Sequence, residues 1–481
     1  MGSTVNKSEL ELDIRAGKSG KWFANWKFIA TSIVIIIALV FAAISYYQAT
    51  HFNAHISIND INVGGMTADQ ALEELKTSVL KNEVYIGHQK LVDGNDTSMG
   101  ITDKDLPAVK KLLKNQKTLF PSLKEKAYSL MPSNPDPYRS QELKTQVEEQ
   151  LLSMNKNLKV PKDADVYLEQ GKIIVSPSED GEQYDVASLL KEFDEQKFTS
   201  NVQLNPVFIQ PIKEDSPLVK DKEKKLQELL QQSVDYKVQD KVHTLKGSEL
   251  IKNATVSKDL KVTIDPSDIH KKIAEINSTQ STLDKDFTFK THSGSVISVK
   301  GQGYDWALDV DKETELVKAA FEIEEKSIAA SNIIGHGWSN EGYGYETTTN
   351  YGIGDTYAEV SIAEQRIWIY KEGKLVLTTN VVTGKHVTGE DTSPGVWYIL
   401  FKRTPYTLKG SAVGKANYEV EVDYWAPFTN SGQGFHDASW RTNWASNAYV
   451  AAGSGGCVNV PVNVMKSVYE NLSTHEPVVV Y

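Results

Sequence analysis

A single cysteine, Cys457, stands among 481 residues, so its thiol has no intrachain disulfide partner and is available for other chemistry. It closes the run Ser454-Gly455-Gly456-Cys457. Glycines at such a place let the backbone turn tightly enough for neighbouring N–H groups to converge on one point, which is what a developing oxyanion requires. A thiol is mostly protonated at neutral pH and needs a base or a cation beside it to become a nucleophile. His436, followed by Asp437 in a segment dense in Trp, Ser and Asn, is the candidate base. A lone cysteine is more often a small buried apolar residue. Here a glycine-flanked cysteine and a nearby His-Asp pair occur together in a chain that otherwise excludes cysteine, which favours a nucleophile.

Other chemistries find little support. No His-Glu-x-x-His run or His/Cys cluster has the spacing of metal ligands, and no cofactor is expected. The 453–457 stretch lacks the Gly-Lys-Ser/Thr ending of a phosphate loop. A sortase-type cysteine transpeptidase would show Leu-x-Thr-Cys with a downstream Arg, which is missing. His386 is expected at the surface.

The elements that must position these groups read as short β runs at 358–362, 366–370, 375–383, 395–400 and 420–424. Ile367 and Ile369 alternate as on a sheet with one buried face. Residues 357–481 therefore form a mostly-β catalytic domain.

His436-Asp437-Ala438-Ser439-Trp440, followed by Ser454-Gly455-Gly456-Cys457-Val458-Asn459, resembles the signature of the YkuD-type L,D-transpeptidases of bacterial cell walls. The resemblance extends back through Asp423-Tyr424-Trp425-Ala426-Pro427-Phe428, Thr392-Ser393-Pro394-Gly395-Val396 and Val381-Val382-Thr383-Gly384. It departs at Gly455, where the family carries a second histidine. The resemblance implies a β-sandwich-like fold whose cleft holds Cys457, with His436 as base and Asp437 orienting it through backbone or carboxylate. It places the oxyanion near the N–H groups of Gly455, Gly456 and Cys457, with Ser454 and Asn459 bracing the loop. Tyr424, Trp425, Ser439 and Trp440 would line the cleft. The implied reaction acts on peptidoglycan stem peptides, donor and acceptor. A tetrapeptide stem loses its terminal D-Ala, a thioester forms on Cys457, and an amine of a second stem resolves it as a 3→3 cross-link. A carbapenem adduct on Cys457 is also implied. Transfer to water, as in an L,D-carboxypeptidase, and a catalytically silent wall-binding protein are the alternatives.

The formal net charge of −11 argues against nucleic acid as a partner, and no basic stripe stands out. Residues 28–47 carry no charge over the length needed to cross a bilayer as a helix. Trp22, Phe23, Trp26, Tyr46 and Tyr47 bracket this stretch as interfacial residues do. Lysine and arginine crowd its N-terminal side. The expectation is a single-pass anchor in the cytoplasmic membrane, with 1–27 as a cytoplasmic tail and the bulk outside in the cell wall.

Between anchor and catalytic domain a unit recurs. Asp165-Val166-Tyr167-Leu168, a Gln170-Gly171 turn, Ile173-Ile174-Val175 and a helix after Val186 are echoed by Phe287-Thr288-Phe289, Ser293-Gly294, Val296-Ile297-Ser298-Val299 and a helix after Val310. The echo predicts two α+β repeat domains, 56–211 and 212–324, which resemble peptidoglycan-binding type 4 domains. Residues 325–356, rich in Gly, Tyr and Thr, read as a linker. The expected fold class is thus multidomain: a single transmembrane helix, two α+β repeats and the catalytic domain.

Overall fold

The computed structural model describes residues 20–116, 120–196, 198 and 201–481. Most of the expected cytoplasmic tail, residues 1–19, lies outside the described residues. The chain is a mixed α/β protein that divides into two compact units, one built from residues up to 163 with 178–212, the other from 164–177 with 213–481.

The first unit begins with helix α1 (Gly20–Thr50). Residues 26–50 have a mean hydropathy of 2.8, and none of the most apolar window is buried by the protein. This is one helix long and apolar enough to cross a membrane. After it, Thr67 caps α2 (Ala68–Thr77) through a reciprocal box with Gln70, and Ala71, Leu72 and Leu75 turn inward. These residues join α3 (Leu106–Asn115) in one core. A second core of this unit joins α4 (Lys144–Asn155) to the helix after Val186.

In the first of the two stretches expected to repeat, the hairpin and the helix fall in different units. Its first hairpin, β1 (Asp165–Glu169) and β2 (Lys172–Ser176), belongs to the second unit. The helix that follows, α5 (Val186–Glu195), stays in the first unit, capped by Asp185. Helix α6 (Pro217–Gln231) packs on β1, with Lys222 bonded to Asp165 at 2.6 Å. β1 is hydrogen-bonded to β3 (Ala254–Val256), completing the sheet β4-β3-β1-β2 with β4 (Val262–Ile264). The hairpin expected within 56–211 thus completes a sheet with strands that follow residue 211. Alternation explains this, since Val166 and Leu168 need a cover that the two-stranded hairpin cannot supply alone.

The second copy repeats the arrangement. Helix α7 (Ser267–Gln280) precedes the hairpin β5 (Asp286–Lys290) and β6 (Val296–Lys300), and α8 (Val310–Glu322), capped by Asp309, follows it. Phe287, Phe289 and Val299 of the hairpin share a core with Tyr357, Val396, Tyr398 and Val479 of the C-terminal domain. At the hairpin turn the His292 ring stacks on Trp368 at 3.5 Å, and its Nδ1 lies 2.8 Å from a carboxylate oxygen of the fully buried Glu359.

The stretch 325–356 is not a free linker. Residues Ser327–Ala329 pair in parallel with strand Ser233–Val238, and Gln239 donates its backbone N–H to the Tyr345 hydroxyl at 3.0 Å. Tyrosines that a composition reading assigns to a flexible segment are here the pins.

The C-terminal domain holds a five-stranded sheet, β7 (Tyr357–Ser361), β8 (Arg366–Lys371), β9 (Lys374–Asn380), β10 (Gly395–Tyr398) and β16 (Pro477–Val480), ordered β9-β8-β7-β16-β10. Hairpin β11 (Tyr406–Ala412) and β12 (Lys415–Val422) leads into a three-stranded sheet of β13 (Trp425–Pro427), β14 (Gly434–Asp437) and β15 (Val458–Val460). The short helix α9 (Ala448–Ala452) precedes β15, and α10 (Val462–Asn471) follows it. Ala426, Phe435, Val458 and Val460 meet Val360, Ile367, Met465 and Val468 in the core between the two sheets and α10.

Candidate functional site

Strand register builds the site. β13 and β14 run antiparallel with Trp425 opposite His436, and β14 and β15 run parallel with His436 opposite Asn459. Successive side chains alternate between faces. Phe435, Ala426 and Val458 fill the core face, so Trp425, His436, Asn459 and, one step before β15, Cys457 share the other face. Cys457 and His436 are diagonal neighbours in this register.

His436 is buried, with 3% of its surface exposed. Its Nδ1 lies 2.7 Å from the backbone carbonyl of Asp437. A carbonyl only accepts, so Nδ1 carries the proton and Nε2 the lone pair. Nε2 lies 3.0 Å from the Asn459 amide nitrogen. The oxygen of that amide accepts from Nε and Nη2 of Arg441 at 3.1 and 2.9 Å. Trp425 and Trp440 flank the imidazole, with ring centroids 5.9 and 5.8 Å away. Burial lowers the imidazole's affinity for a proton, the Asp437 carbonyl opposes this, and the Arg441 charge adds to it.

The Asp437 carboxylate does not touch the ring. It points to the opposite face and accepts the Tyr424 backbone N–H at 2.9 Å. Of the two routes open in the sequence, backbone or carboxylate, the geometry therefore has the backbone one.

The Cys457 sulfur is partly exposed and lies 3.7 Å from the Gly432 carbonyl. Desolvation pushes the thiol up to about 11, against a weaker pull from the Gly434 N–H. Among the described residues no hydrogen bond joins the thiol to His436: the sulfur rests on Gly432 and Nε2 on Asn459.

The loop before Cys457 is braced at several points. The Ser454 hydroxyl donates to the Cys457 carbonyl at 2.5 Å and accepts the Gly456 N–H at 3.1 Å. Gly456 N–H is therefore bonded inside the loop. Thr392 donates its hydroxyl to the Gly456 carbonyl at 2.8 Å. Gly456 has φ +112, a region side chains rarely adopt, and a Cβ there would meet the Gln433 amide at 2.6 Å.

Gly455 faces the hairpin. A Cβ built on it would meet the Cβ of Ala412 at 3.3 Å, and the adjoining tip residue Val413 donates its N–H to Glu390 at 2.6 Å. The hairpin tip thus occupies the space a larger residue at 455 would need. Tyr418 of the same hairpin packs against Cys457 in a small cluster with Trp425.

Of the expected cleft residues, Trp425 and Trp440 stand beside the imidazole and Ser439 is exposed on the turn between them and Arg441. Tyr424 does not line this face. It packs on the core side, its ring 5.1 Å from Tyr469, because it is one residue out of phase with Trp425. His386 is exposed as expected, bonded to Asp391 at 3.0 Å. His475 packs beside the Tyr343 ring at 4.8 Å. Arg441 and Thr392 were not singled out by sequence reasoning. The available signal for Arg441 was its charge, five residues after His436.

Residues 355–480 match the YkuD family, the L,D-transpeptidase catalytic domain. Among curated proteins no relative matches the chain. Among solved structures, the chain is similar to a mutant of the Enterococcus faecium L,D-transpeptidase, with 27% identity over 54% of this chain and 100% of that one at a TM-score of 0.45. It is also similar to the catalytic domain of the E. faecium L,D-transpeptidase acylated by ertapenem, with 38% identity over 26% of this chain and 97% of that one at a TM-score of 0.25. The family match encloses both paired sheets and every residue of the site just described, so residues 355–480 are an L,D-transpeptidase catalytic domain of the YkuD family.

Proposed function

We propose that this protein is a cysteine-dependent L,D-transpeptidase that forms 3→3 cross-links between peptidoglycan stems. The observation that carries the reading is the shared sheet face of Cys457 and His436, with Nδ1 of the imidazole committed to the Asp437 carbonyl and Nε2 left as the base.

Both groups are neutral at rest, because burial raises the thiol and lowers the imidazole. Proton transfer then accompanies attack rather than preceding it. As substrate seats, Sγ takes the place of the Asn459 amide on the Nε2 lone pair; such catalytic hydrogen bonds commonly form only with substrate bound. The thiol proton moves to Nε2, sulfur bonds to the carbonyl carbon of the stem's third residue, and the oxygen becomes an oxyanion facing the Cys457 and Gly455 N–H groups. Collapse breaks the C–N bond, and D-Ala leaves with the proton from the imidazolium. The amine of a second stem then attacks the thioester, gives a proton to His436, and displaces the thiolate, which recovers that proton. A thioester conserves acyl energy for an amine without ATP.

Helix α1 serves in this reading as a single-pass anchor in the cytoplasmic membrane, its N-terminus cytoplasmic, holding the catalytic domain in the wall. The two repeats bind or present wall substrate. Incubating the full chain with tetrapeptide stems and following products by mass spectrometry tests the proposal. Cross-linked dimer with loss of D-Ala supports it, monomeric tripeptide indicates hydrolysis, and no turnover overturns it.

A further inference from the structure

Asn459 is the partner of the base, and an amide has two faces of opposite character. Its nitrogen donates and its oxygen accepts, and a half-turn about the last side-chain bond exchanges them. With the nitrogen toward Nε2, the ring is held neutral with its lone pair ready. With the oxygen toward Nε2, the ring is favoured as imidazolium and is spent as a base. Arg441 decides between them. Nε and Nη2 both reach the side-chain oxygen of Asn459, and a guanidinium has only donors, so the atom facing it must be the oxygen. Nη1 adds a bond to the Ala452 carbonyl at 2.7 Å, where α9 ends and the cysteine loop begins. The arginine is partly buried, lies 6.0 Å from the Trp444 ring centroid, and has its own N–H on the Ala438 carbonyl at 3.1 Å. It is therefore fixed at both ends.

We infer that Arg441 is a positioning residue: by gripping the oxygen of Asn459 it keeps the nitrogen of that amide against Nε2 and so holds His436 as a neutral base. This rests on the proposed role of His436. Among the charges around the ring, that of Asp437 favours its proton and that of Arg441 opposes it more weakly, so Arg441 acts on the ring chiefly through its grip on Asn459. Asp437 turns its carboxylate to the Tyr424 N–H on the other face, and Cys457, on the approach to β15, is a neutral thiol at rest. From the hairpin, Tyr406 stacks on Trp425, which stands between it and the imidazole. Helix α10 meets β14 from the core side through Met465 and Val468.

The test uses the full chain with Arg441→Met, with Arg441→Lys as the variant that keeps a charge but not the two-pronged grip, and folding checked by thermal melting. Nitrogen-15 spectra of the His436 ring report its tautomer and titration midpoint without any turnover. The expected wild-type result is a neutral ring protonated at Nδ1. In Arg441→Met the midpoint rises by about one unit, because the freed amide rotates its oxygen onto Nε2. D-Ala release at pH 6 then falls about tenfold, while the plateau above pH 8 falls less than about threefold. Arg441→Lys lies between. Asn459→Asp, which offers an acceptor to Nε2 whatever Arg441 does, raises the midpoint as well. An unchanged midpoint with a uniform loss at all pH values would make Arg441 a structural staple and overturn the inference. Absence of turnover in the wild type would sink the transpeptidase reading while leaving the ring titration to decide the role of Arg441.

Discussion

Asn459 and His436 stand opposite each other on paired parallel strands, and the amide nitrogen of one lies 3.0 Å from Nε2 of the other. The pairing makes the base a property of the sheet. Cys457 stands immediately before the strand that carries, two positions on, the residue bonded to its proposed proton acceptor.

Asp437 is expected to separate stability from chemistry. Its carbonyl orients the imidazole and its carboxylate secures Tyr424. Asp437→Ala keeps the carbonyl, so turnover falls less than about tenfold, while the unfolding free energy drops by about 1–3 kcal/mol for the orphaned Tyr424 N–H and the lost charge-assisted bond. Paired measurements of kcat and urea midpoint check this. A loss of turnover of about a thousandfold at unchanged stability would assign the ring's orientation to the carboxylate.

Stability should fall away from neutral pH in both directions. The folded His436 binds its proton less readily than the reference value of 6.5, so below that pH the unfolded chain holds more protons and acid favours unfolding. The folded Cys457 keeps its proton up to about 11 against 9.0 when unperturbed, so above pH 9 the unfolded chain holds fewer and base favours unfolding. Each contributes a slope of at most about 1.4 kcal/mol per pH unit, less for the partly exposed thiol. Thermal melts of His436→Gln and Cys457→Ser against wild type should show the acid slope shrinking in the first and the alkaline slope in the second.

The junction between the second repeat and the catalytic sheet depends on one carboxylate. Glu359 is fully buried and accepts from the His292 backbone, the His292 ring and the Tyr481 hydroxyl. His292→Ala removes the ring partner and the Trp368 stack, and is expected to cost about 2–4 kcal/mol by leaving a buried charge short of donors. In that background Glu359→Gln should recover part of the loss, since a neutral amide is cheaper to bury. Denaturant midpoints of the two single variants and the double variant measure the coupling.

Gly455 and the hairpin tip compete for one space. Gly455→Ala brings a Cβ to 3.3 Å from Ala412, a shift of a few tenths of an ångström for an exposed tip, and turnover should stay within about threefold. Gly455→His displaces the tip and breaks the Val413–Glu390 bond, so hydrogen exchange at the Val413 amide should rise about tenfold or more. Unchanged exchange in Gly455→His would mean that the side chain finds another path.

The proposed nucleophile and base were legible because their pattern leaves few alternatives: one cysteine behind two glycines, with a His-Asp pair close upstream. Arg441 was not, because its role exists only once β14 and β15 pair in parallel and bring position 459 opposite 436. The same pairing decides that Asp437 acts through its backbone and that Tyr424 faces the core, each one residue from the side the motif suggests. The repeat was legible as a pattern, yet its hairpins divide from their helices, since hydrogen bonding between distant strands is invisible to local periodicity. Likewise the tyrosines of 325–356 look like linker composition until Tyr345 meets Gln239.

The most direct test of the central claim is intact-protein mass spectrometry of the full chain, quenched after mixing with a tetrapeptide stem whose acceptor amine is blocked. The account predicts a mass gain equal to the stem less D-Ala, mapping to the peptide that contains Cys457, absent in Cys457→Ser and reduced about a thousandfold in rate in His436→Gln. No adduct on the wild-type protein, or an adduct that forms equally fast without the imidazole, would contradict it.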